Sequence, residues 1–72
     1  MNKIIFMCNE NGEERIFKNC LTISQYMPDI LREIDNVGGT FQPLHSSIQI
    51  NIPSYVGFIK VMCFIDKCNT NF

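Results

Sequence analysis

The chain has no tryptophan, one histidine, three prolines and only 18% charged side chains among its 72 residues. His45 has no serine or cysteine in a recognisable nucleophile setting around it, so hydrolytic catalysis has no candidate centre. The basic residues are few and scattered. Lys3, Arg15, Lys18, Arg32, Lys60 and Lys67 form no stripe that would track phosphates, which argues against nucleic acid as a partner. No apolar run approaches the roughly 20 residues of a membrane span, and the most apolar stretch, 55–65, is interrupted by Lys60. Lys3 precedes only the short apolar segment 4–8, less than a secretory h-region, and no Asn-x-Ser/Thr acceptor occurs. The expected location is cytoplasmic or nuclear, with Cys8, Cys20, Cys63 and Cys68 as reduced thiols.

Those cysteines lack the short paired spacing of a structural zinc site. The closest pair is Cys63-x4-Cys68, so neither a metal nor another cofactor is expected. Cys8, Cys20 and Cys63 read as small core residues and Cys68 as a thiol at a helix end. Asp29 and Glu33 stand four apart beside Arg32, as on a solvated helix face rather than as an acid–base pair. Gly38-Gly39 has neither the lysine nor the following helix of a phosphate loop. The chain reads as a binding module and not as an enzyme.

The residues that are present organise into alternating strands and helices. Segments 3–8 and 14–18 flank Asn11-Gly12, a strong hairpin signal because both residue types tolerate positive φ. Ser24 has the character of an N-cap, followed by Met27, Ile30, Leu31 and Ile34 at helical spacing, with Pro28 in the first turn. A helix over 24–35 should stop at Gly38, with 40–46 as a loop. Ile48, Ile50 and Ile52 alternate with Gln49 and Asn51 as in a half-buried strand. Pro53 then opens a second helix, from Ser54 to about Cys68, that is apolar on nearly every side.

The expected fold class is α+β, a single domain over 1–72 with a three-stranded sheet (the hairpin plus a third strand) packed with two or three helices. The expected core comprises Ile5, Met7, Ile16, Leu21, Ile30, Leu31, Ile34, Ile50, Val56, Ile59 and Cys63. A chain this short buries only about 60% of its unfolded surface, so the apolar helix is expected to exceed what the sheet can cover. Its uncovered strip should contain several of Tyr55, Phe58, Met62, Phe64 and Ile65, forming a homo-oligomer seam or a partner interface.

One family shares this arrangement. A strand, Asn-Gly turn and strand lead into Phe17-x3-Leu21-x2-Ser24 and a helix with Ile30-Leu31. After a variable loop come Ile48-x-Ile50-x-Ile52-Pro53-Ser54-x-Val56 and Lys60-Val61-x-Cys63-Phe64. The set resembles the BTB/POZ fold, most closely its Skp/elongin C-like adaptor branch. It covers essentially the whole chain but only the first two-thirds of the family domain, so the chain looks truncated, lacking the C-terminal helices. The resemblance implies an adaptor of cullin–RING ubiquitin ligases, with a cullin-type or BTB-type protein as partner. It places the cullin-holding surface on the 38–46 loop, with Phe41 and Leu44, and on the 55–65 helix. Eight asparagines and eleven isoleucines fit an AT-rich genome, in keeping with a viral mimic of such an adaptor. The alternative is a small self-associating structural module with no ubiquitin-ligase role.

Overall fold

The structure, a computed structural model, describes residues 3–18 and 25–70. Its elements are β1 (Lys3–Cys8), β2 (Glu14–Phe17), α1 (Met27–Asn36), β3 (Thr40–Pro43), β4 (Ser47–Ile52) and α2 (Tyr55–Thr70). The four strands form one mixed sheet in the order β2-β1-β4-β3. β1 and β2 are joined by the Asn11-Gly12 turn, in which the Glu13 N–H donates to Asn11 Oδ1 at 3.0 Å. β1 runs parallel to β4, with Ile4 opposite Ile48, Phe6 opposite Ile50 and Cys8 opposite Ile52.

The sheet has four strands where three are expected from the sequence, because 40–46 is not simply a loop. Thr40–Pro43 pairs antiparallel with β4, and the Leu44 N–H closes the turn on the Ser47 carbonyl at 2.9 Å. Pro43 concealed this strand. A proline lacks the ladder donor and is tolerated in a sheet mainly at an edge, which is where β3 lies.

α1 begins at Met27, with Tyr26 at the N-cap position making no side-chain capping bond and Pro28 in the first turn. The expected cap, Ser24, and the expected core residue Leu21 lie outside the described residues, as does Cys20. At its C-terminus the helix ends as expected. Gly38 takes φ +76°, its N–H reaches the Asp35 carbonyl, and the Gly39 N–H reaches Ile34 O at 2.9 Å, a Schellman arrangement. α2 is capped by Ser54, whose Oγ accepts the Gly57 N–H at 3.1 Å.

Both helices pack on one face of the sheet. The core joins Ile4, Phe6 and Cys8 of β1 to Ile50 and Ile52 of β4, Ile30 and Ile34 of α1, and Phe58, Val61, Met62 and Ile65 of α2. Phe17 adds an edge-to-face contact with Phe6, ring centroids 5.6 Å apart. The shortest molecular dimension, 18 Å, accommodates one sheet and one helical layer.

This core corrects the sequence-based set in several places. Ile30, Ile34 and Ile50 are buried as expected, but Ile5 and Met7 are only half-buried and belong to the opposite sheet face. A one-residue shift exchanges the two faces of a strand, and 4–8 is apolar at every position, so its own sequence does not choose between them. The choice comes from β4: Ile5 lies opposite Gln49 and Met7 opposite Asn51, which share the polar face. Ile16, Leu31, Val56, Ile59 and Cys63 are exposed rather than buried.

This register makes Phe6→Ala costly, about 3–5 kcal/mol for a fully enclosed ring, and Met7→Ala cheap, within about 1 kcal/mol. Urea unfolding followed by circular dichroism tests the assignment; equal losses, or a larger loss at Met7, would contradict it.

Candidate functional site

α2 decides which apolar residues remain outside. Phe58, Val61, Met62 and Ile65 recur at spacings of three and four and fill the core. Residues on the other side of the helix point away: Val56 is 66% exposed, Ile59 38%, and Lys60, Cys63 and Lys67 are also exposed. Phe58, Met62 and Ile65, expected on the partner-facing strip, are thus core residues, and Phe64 is half-buried against the same cluster. The helix does present an apolar strip, but through Val56, Ile59 and Cys63. Lys60 and Lys67, seven apart, mark that outward side in the sequence.

The orientation of α2 is held at both ends. Near its C-terminus, Asp66 receives two hydrogen bonds from Arg15 of β2, Nη2 to Oδ1 at 2.7 Å and Nη1 to Oδ2 at 3.0 Å. The Arg15 guanidinium also lies 4.8 Å from the centre of the Phe17 ring. At the N-terminus the Tyr55 N–H donates to Glu10 Oε1 at 2.7 Å, tying the helix to the β1–β2 turn. The Tyr55 ring stacks on Phe58, and the negative charge of nearby Glu13 raises the Tyr55 phenol above its ordinary pKa. Tyr55 is 38% exposed, yet it is engaged with the hairpin turn.

Among the described residues, two grooves open on the helical side. One, of about 370 Å³, lies between the helices and is lined by Glu33 of α1 and by Ile59, Lys60, Cys63, Phe64 and Lys67 of α2. The other, of about 220 Å³, lies between α1 and the β3 edge and is lined by Ile4, Met27, Leu31, Phe41, Ile48 and Ile50. Phe41 and Leu44, also expected at the interface, are exposed. Phe41 belongs to the second groove, and Leu44 sits in the β3–β4 turn, at the opposite end of β4 from Tyr55. The seven expected interface residues do not form one patch.

His45 is exposed, and among the described residues no group of three His, Cys, Asp or Glu side chains could hold a metal ion. Cys8 is a buried free thiol, Cys63 an exposed one and Cys68 half-buried. No helix among the described residues is long and apolar enough to cross a membrane. Compared with known proteins, the chain matches no protein family, no curated protein and no solved structure.

The Arg15–Asp66 pair has a pH signature. The hydrogen bonds from Arg15, helped by its charge, hold the Asp66 carboxyl below its usual 3.8 against the opposing effect of burial. A depressed folded pKa adds stability above the unfolded value and loses it as pH falls through the folded one. Both side chains remain about half exposed, so the pair is worth only about 0.2–1 kcal/mol. Asp66→Asn should therefore lower the urea midpoint slightly at neutral pH, and the gap should close on acidification below 3.8. A gap that widens toward low pH would contradict this.

Proposed function

We propose that this chain is a protein–protein interaction adaptor resembling the Skp/elongin C subunits of cullin–RING ubiquitin ligases, without catalytic activity of its own. One observation carries the reading: α2 completes the core with one stripe and still turns Val56, Ile59 and Cys63 outward beside an open groove. Contiguous apolar surface of this kind is typical of a docking site. The element order that underlies the BTB/POZ resemblance is also present, with one short strand added in the variable loop. The separate groove at Phe41 suits an adaptor, which has to contact more than one protein. The partner is a cullin-type or BTB-type protein, and the compartment is cytoplasmic or nuclear. A second reading is self-association through the same helix, supported by the same outward Val56 and Ile59.

Calorimetric titration with purified cullin N-terminal regions tests the adaptor reading. Binding at micromolar concentration is expected, weakened about tenfold or more by Val56→Asp or Ile59→Asp. Both positions are exposed, so the variants should keep the wild-type circular dichroism. No binding to any cullin N-terminal region, or binding indifferent to both substitutions, would remove this function.

A further inference from the structure

We propose that β2 is a pairing edge for a second copy of this chain, set antiparallel across a two-fold axis at Ile16 so that the two sheets become one. This edge is separate from the outer side of α2, so the pairing does not depend on what that side holds.

Antiparallel strands alternate between residue pairs that exchange both backbone bonds and pairs that exchange none. The Cys8 N–H donates to the Glu13 carbonyl at 2.7 Å. Carried through the register, that bond makes Phe6–Arg15 and Ile4–Phe17 bonding pairs, and Met7–Glu14 and Ile5–Ile16 non-bonding ones. The N–H and C=O of Glu14 and Ile16 therefore point away from β1. β2 ends the strand order, so no described strand meets them. Natural sheets blunt such edges with proline or with charge. At the other edge, the Leu44–Ser47 bond sets the parity of β3 so that Pro43, which has no N–H, takes an outward position. β2 has no proline, and exposed Ile16 stands in it between two charged residues, Glu14 and Lys18.

Those two charges select the occupant. They have opposite signs and lie two residues to either side of Ile16. In antiparallel pairing about Ile16, each copy's Glu14 lies opposite the other's Lys18, and Ile16 meets Ile16. Opposite charges directly across a strand pair are favourable and like charges unfavourable. An isologous contact about Glu14 would oppose two carboxylates, one about Arg15 two guanidiniums and one about Lys18 two ammonium groups. An axis at Phe17 brings neither Glu14 nor Lys18 to an opposite charge. The axis at Ile16 joins opposite charges twice and gives partners to the outward backbone groups from Glu14 to Lys18, with the strand extended by one residue. One short strand pair buries less than the about 800 Å² per partner of a standard interface, so the dimer should be reversible and of micromolar affinity.

Charge exchange and amide protection test the pairing together. Glu14→Lys and Lys18→Glu each set like charges opposite one another twice, and both positions are exposed. Each variant should dissociate about tenfold or more readily than wild type in sedimentation velocity. An equimolar mixture restores both pairs and should form a heterodimer of near wild-type affinity, which misfolded variants could not do. In wild type, hydrogen exchange followed by NMR should slow at the Glu14 and Ile16 amides as concentration rises, whereas the Arg15 amide, bonded to β1, should be slow throughout. A wild-type monomer at about 300 μM, single variants that dimerise like wild type, or a mixture that stays monomeric would each overturn the proposal. So would a dimer whose Ile16 amide exchanges as fast as in the monomer. A dimer lost with Ile59→Asp but kept with Glu14→Lys would place self-association on α2 and remove it from β2.

Discussion

The structure depends on the parallel pairing of β1 with β4. These two strands occupy the centre of the sheet, and their helix-facing residues Ile4, Phe6, Cys8, Ile50 and Ile52 form the floor on which both helices rest. Parallel strands need a long crossover between them. Here β2, α1 and β3 all lie between β1 and β4 in the chain, so the central pairing brings together residues more than forty positions apart. β2 and β3 add the edges, and α2 closes the core. The two described helices cover one sheet face. Among the described residues, the face bearing Ile5, Met7, Gln49 and Asn51 meets no helix of the core cluster, and α2 leaves Val56, Ile59 and Cys63 exposed.

Much of this arrangement was legible in the sequence where signals of different kinds agreed. The hairpin was announced by Asn11-Gly12, the end of α1 by Gly38, the start of α2 by Pro53-Ser54, and β4 by its strict alternation. Each has a local physical cause that operates before tertiary structure forms. The misses share a different origin. β1 and α2 are apolar at almost every position, so periodicity has no polar residues with which to mark a face. For β1 the face was set by its neighbour, through the pairing of Ile5 with Gln49. For α2 it was set by Arg15 reaching Asp66, and by Lys60 and Lys67 requiring water. β3 was hidden because Pro43 ends a stretch of only four residues and masks the strand character of Thr40 and Phe41, and its pairing depends on β4 being in place.

The reversal of α2 changes the chemistry of the candidate site more than its location. The expected strip of large aromatic residues would have been a greasy surface with no charge pattern. The observed one is narrower, built on Val56 and Ile59, and flanked by lysines facing an acidic helix across a groove. Charges at the rim of an interface contribute chiefly to partner choice and association rate, while buried apolar anchors supply most of the affinity. The site has modest anchors and a definite charge arrangement, which suits selective, reversible association.

The central claim is that α2 turns Phe58, Val61, Met62 and Ile65 inward and leaves the opposite side free for a protein partner. Alkylation of the native protein, resolved by cysteine with mass spectrometry, measures this directly, because Cys63 lies on the free side and Cys8 in the core. In dilute solution Cys63 should react as an accessible thiol while Cys8 stays unreactive until the protein unfolds. Adding a binding partner should slow Cys63 selectively. A Cys63 that is protected in dilute solution, or a Cys8 that reacts as fast as Cys63 in the folded chain, would contradict the account.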